Sequence, residues 1–213
     1  MRSVFMAVKK WFCMGLLALT GALGVVSLTI AQDSTSDPYQ QIEQVTVELL
    51  EAIATHKSGY PENEKAYFDS LENLLRDRID FAFIARNVMG VYHKQATPEQ
   101  RARFATTFRS GLVETYGRGL IGYENQEIVL VKAGEVAEGQ RRLMVKQEIR
   151  SADTVYPLEY SMARKKTGQW MVVNVVINGI NLGKTFRNQF VQSAQRAGGD
   201  IDQVINGWSS EGL

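Results

Sequence analysis

The sequence predicts an α+β fold: a four-stranded antiparallel sheet covered by N-terminal and C-terminal helices. Three observations predict it. Apolar residues recur at helical spacing from residue 38 to about residue 122. Between 126 and 178 the period shortens to two, in four segments rich in β-branched and aromatic residues. After Asn181 the helical period returns. A sheet with one large apolar face needs a cover, and the flanking helices are the available one.

The start of the chain reads as an export signal. Arg2, Lys9 and Lys10 precede an uncharged, mostly apolar run from Trp11 to Ile30, and Thr29-Ile30-Ala31 carries small residues at the key positions. Cleavage is expected after Ala31, with 32–37 a linker and 38–213 the functional domain. The run is long enough to raise an uncleaved anchor as the alternative, but its Gly and Thr content lowers its hydrophobicity. The lone cysteine, Cys13, lies in this run, so the exported domain has no disulfide and must be held by its core.

The helices have local signals. Asp37 can cap a first helix opened by Pro38, with Ile42, Val45, Leu49 and Ile53 on one face. A second is expected from about Glu62 to Arg76, with Tyr67, Phe68, Leu71, Leu74 and Leu75 as its stripe. A third spans 79–90, with Phe83, Ile84, Val88 and Met89, and stops at Gly90. Thr97-Pro98-Glu99-Gln100 has the form of a capping box. Phe104, Phe108, Leu112, Tyr116 and Leu120 follow at spacings of four. Gly111, Gly117, Gly119 and Gly122 accompany them, and each interior glycine costs about 1 kcal/mol against alanine. Close helix packing is the favoured reason for them, space for a ligand the other.

The strands are expected at 126–133, 140–150, 154–164 and 169–178, and their short connections imply a meander. Tyr156, Leu158, Tyr160 and Met162 share one face of the third. In the fourth, strict alternation groups Met171, Val173, Val175 and Ile177, with Trp170, Val172, Asn174 and Val176 opposite. Asn178-Gly179-Ile180-Asn181 is expected to break the strand. A helix with Phe186, Phe190 and Ala194 on one face follows. Gly198-Gly199 ends it, and Asp200 can cap a short last helix carrying Ile201, Val204, Ile205 and Trp208.

Chemistry-bearing patterns are scarce. His56 and His93 are the only histidines, both near predicted helix ends, and read as surface residues. No cysteine lies beyond the signal, and no paired-histidine motif, nucleophile elbow, phosphate loop or dinucleotide fingerprint is present. The formal charge is +1 over 213 residues, but the signal holds three of the 24 basic residues and no acid. The remainder carries 21 bases against 23 acids, so no basic face for nucleic acid is expected. No metal, cofactor or catalytic residue is expected.

One resemblance organises these features. Ile84-Ala85-Arg86-Asn87-Val88-Met89-Gly90, then Thr97 to Arg101, Phe104, Phe108, Leu112 and Thr115-Tyr116, resemble the MlaC family. Val175 to Leu182 followed by Phe186-Arg187-Asn188-Gln189-Phe190 is similar to that family's end of sheet and following helix. Met89 and His93 depart mildly from the expected leucine and aromatic. The family, also called the toluene-tolerance auxiliary proteins, comprises periplasmic phospholipid-binding components of Mla transport systems. The resemblance implies a deep hydrophobic cavity between sheet and helices in a phospholipid-binding domain over 38–213. It also implies a monomer that shuttles phospholipid between an outer-membrane lipoprotein complex and an inner-membrane ABC transporter with an MCE-domain subunit, maintaining outer-membrane lipid asymmetry.

With that resemblance, the expected pocket lining is Val88, Tyr92, Phe104, Phe108, Leu112, Tyr116 and Leu120 from the helices. The sheet adds Leu143, Val145, Tyr156, Leu158, Tyr160, Met162, Val173, Val175 and Ile177, and the following helix Phe186 and Phe190. Arg118, Arg164 and Lys165 are candidates by position to approach a head group, although solvated surface charge is the favoured role for each. Periodicity fits a filled core as well as a hollow one. The same residues therefore also allow a non-catalytic envelope chaperone or interaction protein with a solid core. An enzyme using such a pocket is a third reading, but the sequence offers no acid–base pair for it.

Overall fold

A computed structural model of the chain describes residues 37–131 and 134–209. The expected signal segment, and the linker apart from Asp37, lie outside the described residues.

Among the described residues, five helices precede the sheet. They are α1 (Pro38–Lys57), α2 (Glu64–Arg76), α3 (Phe81–Met89), the single turn α4 (Tyr92–Gln95) and α5 (Pro98–Leu120). Asp37 caps α1 by accepting from the Tyr39 N–H at 3.0 Å. Asp80 caps α3 through the Phe83 N–H at 3.1 Å, so α3 begins two residues later than periodicity suggests. Gly90, at φ 56, stops it in a conformation costly for other residues. The capping box of α5 forms as expected, with Gln100 N–H donating to Thr97 Oγ1 and Thr97 N–H donating to Gln100 Oε1.

The sheet is an antiparallel meander in the order β1-β2-β3-β4-β5. Its strands are β1 (Glu127–Leu130), β2 (Arg142–Arg150), β3 (Val155–Arg164), β4 (Trp170–Ile177) and β5 (Ile180–Asn181). It therefore has five strands, not the expected four. Asn178 and Gly179, at φ 49 and 80, make a two-residue hairpin turn instead of ending the sheet. Ile180 then pairs with Ile177, and Asn181 both closes the ladder and caps α6 (Leu182–Arg196). The short α7 (Ile201–Asn206) follows, capped by Asp200 as expected.

A second correction concerns the faces of β4. Ser161 lies opposite Asn174, but Met162 lies opposite Val172, so Val173 has no partner across the ladder. This is a β-bulge, and it resets the alternation. Trp170 and Val172 consequently share a face with Val175 and Ile177, and with Tyr156, Leu158, Tyr160 and Met162 of β3. On β2, Leu143, Val145, Gln147 and Ile149 complete this inner face. The opposite face carries the Lys146–Glu159 ion pair at 2.8 Å.

The apolar residues do not merge into one core. A helical cluster joins α3, α5, α6 and α7 around Val88, Phe104, Phe108, Phe186 and Phe190. A second lies on the sheet's inner face under Ile42 and Tyr39 of α1. A third ties α1, α2 and α5 through Ile53, Tyr67, Leu71 and Val113. The stripe on α5 explains how one helix serves two of them. A spacing of four overshoots a helical turn by about 40°, so Phe104 to Leu120 winds through about 160°. Phe104 and Phe108 fall in the first cluster, Leu112 and Tyr116 at its edge, and Leu120 at the edge of the third.

Candidate functional site

The inner face of the sheet changes character along its length. On β3, Tyr156 is 43 % exposed, Leu158 and Tyr160 are half-buried, and Met162 is 1 % exposed. The pairing carries the same trend into the neighbours. Ile180 is 52 % exposed, Ile177 and Val175 are half-buried, and Val172 and Trp170 are buried. Ile149 is half-buried, while Gln147 and Val145 are buried. One end of the apolar face is thus open and the other sealed.

The sealed end lies beneath the first half of α1. Gln41 donates from Nε2 to the Trp170 carbonyl at 3.1 Å, and Ile42 packs on Val145, Met162, Trp170 and Val172. Where sealed meets half-buried, three polar side chains interrupt the apolar surface. Gln147 Nε2 donates to Thr46 Oγ1 at 3.0 Å, and the Tyr160 hydroxyl donates to Gln147 Oε1 at 3.1 Å. Thr46 also donates to the Ile42 carbonyl at 2.9 Å. The three groups satisfy one another, which is what makes their burial tolerable.

Two properties meet at Tyr160. Desolvation pushes its pKa up to about 12, so its phenol is remote from bulk water. Its side chain nevertheless keeps accessible surface. Tyr116 behaves similarly on the helical side: burial raises its pKa, its hydroxyl has no hydrogen-bond partner, and it stands at the edge of the helical cluster.

The expected lining residues separate into two groups. Val88, Phe104, Phe108, Phe186 and Phe190 have no more than 1 % of their surface accessible and pack on one another. Phe104 meets Phe190 edge-on at 4.8 Å and Trp208 at 5.1 Å, and Phe108 meets Phe186 edge-on at 5.4 Å. They fill the helical cluster. Val145 and Met162 likewise fill the sealed end of the sheet. Tyr92, Leu112, Tyr116, Leu120, Leu143, Leu158, Tyr160, Val173, Val175 and Ile177 are half-buried, and Tyr156 is exposed. Sequence reasoning missed Thr46, Gln147 and the inward turn of Trp170 and Val172. Gln147 was detectable as a polar residue at an inward position between Val145 and Ile149.

Other charged candidates are engaged elsewhere. Arg118 pairs with Glu64 at 3.3 Å, and its guanidinium sits over the Phe68 ring. Arg164 donates to the Gly168 carbonyl, and Lys165 pairs with Asp80 at 3.2 Å. His56 is half-buried against the Tyr67 ring, and burial with Arg101 and Arg86 lowers the pKa of His93. Among the described residues no group of histidine, cysteine, aspartate and glutamate is arranged to hold a metal ion. Two open depressions, of about 470 Å³ between α2 and α5 and about 260 Å³ beside α6 and α7, are the wrong size and place for the implied cavity. The first is rimmed by Glu64, Asp69, Glu72 and Glu114, and both fall short of the ~1,000 Å³ scale of a large apolar pocket.

A family model described as MlaC protein matches residues 43–210, which span every described element except the start of α1. The chain belongs to the MlaC family. Its match to the toluene tolerance protein ttg2D of Pseudomonas putida is 36 % identical, over 92 % of this chain and 89 % of that protein. The intermembrane phospholipid transport system binding protein MlaC of Haemophilus influenzae is 28 % identical over 92 % and 90 %. In fold, the chain is similar to the phospholipid-binding protein from Ralstonia solanacearum, solved in complex with a phospholipid. That structure superposes with a TM-score of 0.66 at 24 % identity, over 80 % of this chain and 94 % of that one. The α+β fold expected for an MlaC-family member is the fold found. No helix among the described residues is long and apolar enough to cross a membrane.

Proposed function

We propose that this chain is a periplasmic phospholipid carrier that holds acyl chains between the inner face of its sheet and the helices, and transforms no substrate. The observation that carries this reading is the inner apolar face of the sheet, open at Tyr156 and Ile180, half-buried at Leu158, Tyr160, Val175 and Ile177, and sealed at Met162, Val172 and Trp170. The half-buried Leu158, Val175 and Ile177 on the sheet, with Leu112, Tyr116 and Leu120 on α5, supply the apolar contact.

The magnitudes suit the task. Each buried methylene gains about 0.8 kcal/mol, so a long acyl chain needs an apolar container to cross water. The phosphate head stays near the open end, since burying it unpaired is costly. The polar groups at the sealed end hydrogen-bond one another, and a phenol with a pKa near 12 is a poor proton donor or acceptor near neutral pH.

The names of the relatives support a place in an intermembrane transport system. We assign the carrier, as a monomer, to exchange between an outer-membrane lipoprotein complex and an inner-membrane ABC transporter with an MCE-domain subunit, in the service of outer-membrane lipid asymmetry. Residues 1–31 are its export signal, removed after Ala31. The test is organic extraction of protein purified from an exporting cell. Stoichiometric phospholipid is expected. A lipid-free folded protein would support the solid-core chaperone instead, a reading that the closely packed phenylalanine cluster favours.

A further inference from the structure

We infer that Thr46, Gln147 and Tyr160 form the blind end of the acyl site and set how deep a chain can penetrate. This inference rests on the lipid-carrier reading and adds a determinant of chain length to it.

The argument begins with the exposure gradient. On β3 and β4 it falls from Tyr156 and Ile177 to the buried pair Met162 and Val172, one inward pair beyond Tyr160 and Val175, whereas on β2 burial already begins at Gln147. Gln147 stands diagonal to Tyr160 across the β2–β3 pair. Beyond it, Val145, Met162, Val172 and Trp170 are packed under Ile42. A chain entering at the open end therefore passes Tyr156 and Leu158 and meets Tyr160. From Tyr156 to Tyr160 is about 13 Å of strand.

Two properties make this a stop. Sterically, the phenol and the carboxamide are tied to each other and to α1, so neither swings aside without losing a hydrogen bond. Chemically, a methyl group pushed among them would separate hydrogen-bonded partners and leave each without its bond, a penalty that outweighs the gain from one added methylene. The gain from lengthening a chain should thus end where the chain reaches Tyr160.

The test offers delipidated full-length domain an equimolar mixture of saturated diacyl phosphatidylglycerols of graded chain length and reads occupancy by native mass spectrometry. In the wild type, occupancy should rise with chain length and then level off. Tyr160→Ala, which removes the stop, should move the plateau to longer chains. Leu158→Trp, at a half-exposed position that leaves the core intact, should move it to shorter ones and covers the case in which Tyr160→Ala fails to fold. Gln147→Leu with Tyr160→Phe keeps the bulk and removes the polarity. A plateau unmoved in that double variant assigns the stop to shape, and one moved to longer chains assigns it to the hydrogen bonds. Identical profiles in wild type, Tyr160→Ala and Leu158→Trp would overturn the inference while leaving lipid carriage intact. Failure of the wild type to take up any lipid would overturn the carrier reading beneath it.

Discussion

Tyr160 and Gln147, on adjacent strands, are joined by a 3.1 Å hydrogen bond across a sheet face that is otherwise apolar. Through Thr46 the same carboxamide reaches α1, so the covering helix is bonded to the middle of the sheet and not only packed on it. This link divides the face into a half sealed by α1 and a half left open.

The filled helical cluster and the open half of the sheet face should respond differently to mutation. Phe190→Ala, in the filled helical cluster, should cost about 3–5 kcal/mol by denaturant unfolding, since it leaves a cavity among Phe104, Tyr92 and Trp208. Val175→Glu, on the half-buried part of the sheet, should leave a folded protein that retains little or no phospholipid after extraction. Equal lipid retention by folded Val175→Glu and wild type would place the cargo elsewhere.

Alkaline stability offers a separate check. The Tyr67 and Tyr160 pKa values are raised from 10.0 to about 12, both chiefly by burial. A phenol whose folded pKa exceeds its unfolded one contributes stability that is intact below about pH 10 and lost as pH climbs toward 12. Unfolding should become easier across that window, and Tyr160→Phe should flatten part of the decline while Tyr67 and Tyr116 keep the rest. Tyrosinate absorbance against pH in the folded protein measures it directly, with Tyr67, Tyr116 and Tyr160 expected to ionise late.

Much of the helical architecture was legible in the sequence because its signals are local. Asp37, Thr97 with Gln100, and Asp200 bond to backbone within three residues, and all three caps form. The stripes of α6 and α7 bury the side chains that periodicity selects. What failed depends on partners far along the chain. The face of Trp170 is set by a bulge visible only once β3 supplies the register. The fully buried phenylalanines and the half-buried Leu158 or Val175 look alike as letters. Their difference is whether another element reaches them.

The bulge makes a counterintuitive prediction. In a regular strand a one-residue deletion inverts every side chain on one side of it. Deleting Val173 removes the unpaired residue, so Trp170 and Val172 should stay on the inner face. The variant should fold, with near-ultraviolet circular dichroism close to wild type. Deleting Asn174, which is paired with Ser161 and accepts from the Gly183 N–H, should be far more damaging.

The glycines of α5 divide in the same way. A Cβ at Gly117 would stand 2.9 Å from Leu71 Cδ1 and 3.0 Å from Phe68 Cε1, so close packing with α2 explains that glycine. Gly117→Ala should destabilise by about 1–3 kcal/mol through overpacking, less the helix propensity gained. Nothing lies within 4 Å of a Cβ at Gly119, and the structure does not explain its glycine. Gly119→Ala should raise the melting temperature, a gain of up to about 1 kcal/mol.

The account depends on cargo lying against the open half of the inner sheet face, and photolabelling locates cargo directly. A phosphatidylglycerol with a diazirine in its acyl chain, loaded into the protein and irradiated, should mark peptides containing Leu158, Tyr160, Val175 and Ile177. Phe104 and Phe108, sealed in the helical cluster, should stay unmarked. Label confined to the α2–α5 depression or to outward residues such as Lys146 and Glu159 would contradict the account.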